Sequence, residues 1–192
     1  ILNKWTKQVA GDPIDGAPVS YDELNTLAAE APVGSKGLTF MPFGNGAERM
    51  LENRDPNASL HNLNFNVHGR AELLRSAQEG IVFALNYGIE IMRGMGIEVE
   101  TVRAGEANMF LSPLFRDAFA RTTGASVELY TTDGAEGAAR GAGFGAGLFS
   151  TLEEAYRGLE LNRRIEPNRE TRAAYQEAYA RWRKVLEEQV IR

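Results

Sequence analysis

Residues 97–123, IEVETVRAGEANMFLSPLFRDAFARTT, combine side chains and spacings that suit contact with a nucleotide. Gly105 permits backbone geometry and close approach that a side chain would block, and Asn108 offers both a hydrogen-bond donor and an acceptor. Ser112 followed by Pro113 is typical of a helix N-cap and first helical position. Because ligands of open α/β sheets bind beyond the carboxyl ends of strands, this loop predicts a nucleotide contact, with a plain βα turn as the alternative.

The elements that would position this loop are a strand before it and a helix after it. Ile97, Val99 and Thr101 alternate with two glutamates, which predicts a strand at the start of the stretch. The same kind of pattern predicts further strands at 1–9, 37–43, 61–67 and 125–130. Helices are predicted at about 20–31, 70–95, 151–162 and 169–191.

Local signals mark the ends and faces of several helices. Ser20 and Glu23 form a capping-box pattern at the start of the first one. Apolar residues at helical spacing give the 70–95 helix one stripe, and apolar residues off that stripe predict cover on more than one side. Glu79 lies roughly opposite the stripe and is interpreted as a solvated carboxylate. The helix at 169–191 carries an aromatic packing face of Tyr175, Tyr179, Trp182 and Leu186.

Glycines recur at a spacing of four residues at positions 137, 141 and 145. Because glycine costs a helix up to about 1 kcal/mol relative to alanine, this spacing predicts a smooth helix face packed tightly against a neighbour. The segment 141–146 also matches the GxGxxA dinucleotide pattern, which requires an apolar strand directly before it. Residues 133–140 are small and polar, so we interpret the match as false. A dinucleotide-dependent oxidoreductase would need a strand there.

Composition limits the classes of function. The 192 residues support one large domain or two small ones, with 43% hydrophobic and 24% charged residues. A net charge of −5 argues against a nucleic-acid surface, and no apolar stretch approaches the roughly 20 residues of a membrane span. The absence of cysteine excludes disulfides and thiolate chemistry and agrees with a cytoplasmic protein, and His61 and His68 offer little for a metal site.

Two further segments bear on organisation. The chain begins abruptly in a predicted strand without methionine, so we expect it to be the C-terminal part of a longer protein. Residues 44–58 form a long polar loop, in which Glu48 and Arg49 could serve a ligand or a neighbouring lobe. The alternative for that loop is a solvated surface.

Four segments, in order, resemble motifs of the FGGY carbohydrate kinases. The segment GRAELLRSAQEGIVFAL resembles the second family signature through Glu72, Leu73, Ser76, Ala77, Glu79 and Gly80. Asn62 and Gln78 depart from it, since glycine and an apolar residue are usual there. The segment MPFGNGAERM resembles the PFxxGERxP loop through Pro42, Phe43, Gly46, Glu48 and Arg49, with Ala47 extra and Met50 in place of proline.

The remaining two segments resemble the adenosine loop and the helix after it. RAGEANMFLSPLFRD is similar to the adenosine segment through Gly105, Ala107, Asn108, Ser112, Pro113 and Leu114. Glu106 stands where a second glycine is common. AEGAARGAGFGAG is similar to the family's glycine-alanine helix through Gly137, Ala138, Gly141 and Ala142.

The resemblance implies an α/β fold of the ribonuclease H-like type shared by actin, Hsp70 and sugar kinases. Residues 1–192 would form the C-terminal domain of such a kinase, without the N-terminal sugar-binding lobe, and the amphipathic helix at 169–191 would pack on that domain. Within the family the chain is most similar to the xylulokinases. This implies transfer of the γ-phosphoryl group of Mg²⁺-ATP to D-xylulose, giving D-xylulose 5-phosphate.

The resemblance also implies where the ligands bind. The segment Gly105, Glu106, Ala107 and Asn108 would contact adenosine, and Glu48 and Arg49 would shape the cleft between lobes. No catalytic residue or metal ligand is implied in this chain, because the family's catalytic aspartate and phosphate hairpin would precede Ile1. The chain alone would therefore be inert, with Mg²⁺ held mainly through the phosphates. A homodimer is left open, and the alternative function is a non-catalytic, sugar kinase-like regulatory or interaction module.

Overall fold

The computed structural model describes residues 20–191, so the predicted strand at 1–9 lies outside the described residues. Within that range the helices are α1 (Tyr21–Glu30), α2 (Arg70–Gly94), α3 (Pro113–Thr123), α4 (Gly134–Gly145), α5 (Leu152–Ala155) and α6 (Arg172–Val185). The strands are β1 (Thr39–Phe43), β2 (Asn57–His61), β3 (Thr101–Gly105), β4 (Ser126–Tyr130) and β5 (Leu161–Ile165). Short helical turns occur at Ser35–Gly37, Arg49–Leu51, Asn108–Leu111 and Leu186–Val190.

The described strands form two sheets. β1 and β2 make an antiparallel pair, while β4 lies between β3, which is parallel to it, and β5, which is antiparallel. Helix α3 is the crossover that a parallel pair requires, so β3, α3 and β4 form one βαβ unit. The loop between Gly105 and Pro113 therefore lies at the carboxyl edge of β3.

Helix α2 is the central element of the core. It packs against α1, α3 and β1, and it buries residues on several sides, as its apolar pattern predicts. Its contact with β1 is at backbone distance, because a Cβ atom added to Gly80 would lie 2.3 Å from the Phe40 carbonyl oxygen. The capping box of α1 is present as predicted: Ser20 Oγ accepts from the Glu23 amide and the Glu23 carboxylate accepts from the Ser20 amide.

Helix α6 closes the core with its aromatic face. Tyr175, Tyr179 and Trp182 are buried, and the rings of the last two stack with centroids 6.0 Å apart. The Trp182 indole N–H donates to the Phe40 carbonyl at 3.0 Å, which joins α6 to β1. The aromatic stripe is thus part of the packed interior.

Glu79 is buried, so its interpretation as a solvated carboxylate is wrong. Only 2% of its surface is exposed, and it accepts hydrogen bonds from the Gly34 amide, the Ser35 hydroxyl and Arg75 Nε. The same arginine donates to the Ala31 carbonyl and the Tyr175 hydroxyl. The sequence shows Glu79 opposite the apolar stripe, but segments distant in the chain cover that side of α2.

The predicted strand at 97–101 is also displaced. Gly96 has a φ of +84° and the Ile97 amide donates to the Met92 carbonyl, so these residues complete the end of α2. Pairing with β4 begins at Thr101, opposite Ser126. Ile97 is exposed, and of the apolar residues before Thr101 in this pattern Val99 packs against the core, so the alternation there does not mark a sheet strand.

The predicted strand at 61–67 stops at its first residue. Asn62 adopts a φ of +61°, which takes the backbone out of the extended region and ends β2 at His61. The alternating residues Leu63, Phe65 and Val67 consequently face solvent, with 89% of Phe65 exposed. The alternating residues of this segment therefore lie in a turn and not in a strand. His68 closes the turn, because its Nδ1 accepts a hydrogen bond from the Asn64 amide at 3.0 Å.

The predicted helix at 151–162 is mostly replaced by other structure. Only Leu152–Ala155 is helical, Gly158 turns the chain with a φ of +84°, and β5 begins at Leu161. The sequence LNRRI of β5 is polar and mostly exposed, so it lacks the half-buried alternation that predicts a strand. Its arginines suit an edge strand instead.

The glycine-rich segment forms helix α4, which extends from Gly134 to Gly145. The GxGxxA match at 141–146 therefore begins inside a helix, with no preceding strand, and the dinucleotide interpretation is excluded. Tight packing of the glycine face is not found against the described residues: a Cβ atom added to Gly137 or Gly145 would have nothing within 4 Å.

Candidate functional site

The loop after β3 is built by backbone turns and one helix cap. The Ala107 amide donates to the Gly105 carbonyl and the Phe110 amide donates to the Ala107 carbonyl, which folds the loop back on itself. Ser112 then caps α3 by accepting from the Phe115 amide at 3.3 Å, and Pro113 is the first helical residue. The N-cap and proline predicted from the sequence are therefore present.

Gly105 is required by the packing of two strand ends. A Cβ atom at this position would lie 2.3 Å from the Thr132 carbonyl oxygen and 3.3 Å from the Asp133 Cα atom. The missing side chain thus lets β3 approach the chain segment that follows β4. This contact accounts for the glycine independently of any ligand.

The Glu106 carboxylate forms hydrogen bonds with other side chains of the protein. It accepts from Arg163 Nε at 3.2 Å, Asn162 Nδ2 at 3.1 Å and Arg116 Nη1 at 3.5 Å. The hydrogen bond from Arg163 is the main reason why the pKa of Glu106 is lowered. Glu106 therefore ties the loop to β5 and α3, which explains a carboxylate where the resembled motif commonly has glycine.

Asn108 differs from the rest of the loop because its side chain is available. It is exposed, adopts a φ of +52° and lines a cavity between α1, α2 and the Asn108–Leu111 turn. Asparagine tolerates this left-handed conformation better than most residues. Of the predicted adenosine-contacting residues, Asn108 lines the cavity, whereas Gly105, Glu106 and Ala107 do not.

The cavity has a volume of about 290 Å³, close to the lower end for small-molecule sites. Part of its wall is apolar and consists of Leu24, Leu74, Ala77, Met109 and Leu111. The rest carries the side chains of Tyr21, Asp22, Asn25, Gln78, Asn108 and Ser112. A flat, partly apolar ring with polar edges, such as a purine base, fits this chemistry.

Three polar residues of this wall are linked by hydrogen bonds that the sequence analysis missed. Gln78 Nε2 donates to Asn25 Oδ1 at 3.0 Å, and Ser112 Oγ donates to Gln78 Oε1 at 2.8 Å. Gln78 and Ser112 are buried, so these bonds lie in a poorly solvated environment. The available signal was Gln78 itself, a polar residue where the resembled signature has an apolar one.

Glu48 and Arg49 lie elsewhere. Glu48 pairs through its backbone with Arg54, and the exposed Arg49 begins the short helical turn that follows. Neither residue lines the cavity beside Asn108. The structure therefore does not bring this predicted pair together with the adenosine segment.

Over residues 20–191, no group of three His, Cys, Asp or Glu side chains is placed to hold a metal ion. None of the helices described is both long and apolar enough to cross a membrane.

No protein-family profile matches the chain. A xylulose kinase of Haemophilus influenzae is 30% identical over an alignment of 173 residues, which covers 85% of this chain and 34% of that protein. An L-xylulose/3-keto-L-gulonate kinase of Escherichia coli is 30% identical over 88% of this chain and 33% of its own length. The crystal structure of a xylulose kinase from Lactobacillus acidophilus matches 98% of this chain and 38% of that one, with a TM-score of 0.77 and 22% identity.

These matches settle the fold. The chain spans about a third of the length of the curated relatives that it matches. Nearly all of it superposes on part of a sugar kinase, so the predicted α/β fold of the sugar kinase type is confirmed.

Proposed function

We propose that this chain, a homologue of the FGGY carbohydrate kinases, supplies the part of an ATP-dependent sugar kinase that binds the adenosine of ATP. The observation that carries the proposal is the position of Asn108 on a partly apolar cavity at the carboxyl edge of β3. This edge is where ligands of α/β sheets commonly bind. The kinases among the relatives support the same class of reaction.

The roles of the residues follow from their chemistry. Apolar side chains such as Leu74 and Met109 would cover the faces of the base, and the Asn108 amide would hydrogen-bond the base or the ribose. Glu106 would act indirectly, by holding the loop against Arg116 and Arg163. ATP supplies the phosphoryl group when bound, with Mg²⁺ bridging its phosphate oxygens.

The proposal extends to the acceptor and to the activity of the isolated chain. We propose D-xylulose as the acceptor, supported by the resemblance to xylulokinases and by a relative that is a xylulose kinase. Phosphoryl transfer needs a group that orients the acceptor hydroxyl and groups around the γ-phosphate. The resemblance assigns these to a segment before Ile1, so the 192-residue chain by itself should not turn over.

The binding test compares three variants by isothermal titration calorimetry with ATP. Asn108→Ala should weaken binding about three- to tenfold, because one hydrogen bond to the ligand is lost. Asn108→Gly should weaken it similarly while removing the strain of the positive φ. Asn53→Ala is the matched control, since Asn53 is exposed with a φ of +62° but lies outside the cavity.

Equal binding of ATP by the wild type and both Asn108 variants would remove the assigned role of this side chain. An assay of the 192-residue chain with ATP and D-xylulose tests the claim of inactivity, which appreciable product formation would overturn. The choice of sugar is tested with a catalytically active kinase that contains this chain, by comparing D-xylulose and L-xylulose as acceptors, because the second relative is named for L-xylulose.

A further inference from the structure

A chain of hydrogen bonds, each with a defined donor and acceptor, runs along the wall of the cavity beside Asn108. It starts at the Phe115 amide, which donates to Ser112 Oγ at 3.3 Å. Ser112 Oγ lies 2.8 Å from Gln78 Oε1, and Gln78 Nε2 lies 3.0 Å from Asn25 Oδ1. The chain thus connects the N-terminus of α3, the middle of α2 and the side of α1.

The helix cap fixes the direction of the first bond, and the orientation of the Gln78 amide fixes the other two. A backbone amide can only donate, so Ser112 Oγ must accept from Phe115. The single hydroxyl proton of Ser112 is donated to Gln78, whose carbonyl oxygen faces the serine. The Gln78 amino group consequently faces Asn25 as a donor, and Asn25 must present its oxygen to it.

Burial makes this orientation difficult to reverse. Gln78 is 8% exposed and Ser112 is 3% exposed. Turning the Gln78 amide would place its carbonyl oxygen against Asn25 Oδ1, two acceptors facing each other, and would leave the Ser112 proton without its acceptor. An apolar residue at position 78, as in the resembled signature, would leave the Asn25 amide free to turn.

The consequence is a cavity wall with a defined donor. With Oδ1 used by Gln78, the Asn25 side chain has its two Nδ2 protons for other partners. We propose that Asn25 donates a hydrogen bond to an acceptor ring nitrogen of a bound adenine, and that Gln78 is the positioning residue that orients it. This inference rests on the proposed function, since it names what one wall of the ATP site recognises.

The test uses the 192-residue chain, ATP and deaza analogues of ATP, in each of which one ring nitrogen is replaced by carbon. The wild type should bind one of these analogues about five- to tenfold more weakly than ATP, because one hydrogen bond is missing. Asn25→Ala should bind ATP and that analogue equally. These four affinities form a double-mutant cycle, with one change in the protein and one in the ligand, which isolates the contact between Asn25 and the replaced nitrogen.

Gln78→Glu tests the positioning role at nearly constant shape. A carboxylate cannot donate to Asn25 Oδ1, so the Asn25 amide should turn its oxygen toward the cavity. ATP binding should then fall about tenfold, and the difference between ATP and the analogue should disappear. Gln176→Glu, the same change at an exposed position of α6, should leave both affinities unchanged.

The outcomes separate this inference from the function on which it rests. If the wild type binds ATP but discriminates against none of the analogues, the role of Asn25 is refuted and the ATP site remains. Retention of discrimination in Gln78→Glu would refute the positioning role. If the wild type does not bind ATP, both proposals fail. Should Gln78→Glu not fold, judged by circular dichroism, Asn25→Ala at a half-buried surface position still decides the question.

Discussion

Two carboxylates on α2 hold the same neighbouring segment, residues 34–36. Both carboxylate oxygens of Glu79 accept a hydrogen bond from the Gly34 amide at 3.1 Å. The Glu72 carboxylate forms an ion pair with Lys36, in which Nζ lies 2.7 Å from Oε1. Gly34, Ser35 and Lys36 all have positive φ, with values of 76°, 48° and 52°. Such a run is unfavourable for non-glycine residues, so the carboxylates stabilise a conformation that the local sequence alone would not adopt.

The two carboxylates respond differently to their surroundings. Burial raises the pKa of Glu79, an effect that the adjacent Arg75 guanidinium offsets in part. For Glu72, the hydrogen bond from Lys36, followed by that from the Gly69 amide, lowers the pKa from 4.5 to about 2. Glu72 therefore stays ionised far into the acid range.

This shift predicts a pH-dependent effect of Glu72→Gln. Because the folded-state pKa is depressed, the carboxylate contributes stability above pH 4.5, and that contribution is lost as the pH falls toward about 2. The substitution should lower the free energy of unfolding by about 1–2 kcal/mol at neutral pH, and by progressively less in acid. Urea denaturation followed by circular dichroism at several pH values measures this.

Glu98→Gln is the control for the same chemical change, since Glu98 is exposed and lies outside any element. It should lower stability by less than about 0.5 kcal/mol at every pH. If Glu72→Gln lowered the free energy of unfolding by the same amount at neutral pH and in acid, the depressed pKa of Glu72 would not contribute to stability.

At the scale of elements, close backbone approach positions α2 and β3. Gly80 allows α2 to lie against β1, and Gly105 allows β3 to lie against the segment after β4. In each case an added Cβ atom would lie 2.3 Å from a carbonyl oxygen of the neighbouring chain segment. Both glycines belong to motifs that carry the family resemblance, and the structure gives each one a packing reason.

Gly80→Ala should therefore be strongly destabilising. The new methyl group would meet the Phe40 carbonyl and force α2 away from β1, at a cost of about 2–3 kcal/mol or more. Thermal and urea unfolding of the purified variant would measure the loss.

Gly88→Ala is the matched change on the same helix. A Cβ atom there has nothing within 4 Å, so alanine should stabilise the chain by about 0.5–1 kcal/mol through its higher helix propensity. If the two variants changed stability equally, close packing of α2 on β1 would not be the reason for Gly80.

At the scale of the whole molecule, α6 connects parts of the chain that are distant in sequence. Trp182 hydrogen-bonds the Phe40 carbonyl of β1, and Tyr175 accepts from Arg75 of α2. Burial raises the pKa of Tyr175 to about 12, so this phenol remains protonated over the physiological range. The core thus depends on contacts between α6 and elements that lie 100 and 142 residues earlier in the chain.

Trp182→Ala should destabilise the chain by about 3–5 kcal/mol, because it removes a fully buried ring at the junction of α6, α2 and β1. Urea unfolding monitored by far-ultraviolet circular dichroism provides the measurement.

The neighbouring change Arg183→Ala is the control. Arg183 is exposed and pairs with Glu90 and Glu187, so its removal should cost less than about 1 kcal/mol. A similarly small effect of Trp182→Ala would contradict a core closed by α6.

Much of the fold was predictable because its signals are local. The capping box at Ser20, the long α2 helix and the Ser112–Pro113 start of α3 each depend on residues a few positions apart. The motifs that carry the resemblance are short as well. The predictions failed where a local pattern had two structural meanings, as at 61–67, where alternation accompanies an exposed turn.

The sequence by itself determined the class of the fold, the glycine loop and the candidate asparagine, since these are set by residue type and short spacing. Tertiary structure decided that Glu79 is buried, that Glu106 serves the scaffold and that Gln78 reaches Asn25, 53 positions away. The physical reason is that burial and hydrogen-bond partnership depend on which distant segments meet. A side chain's periodic position states which face it occupies but not what covers that face.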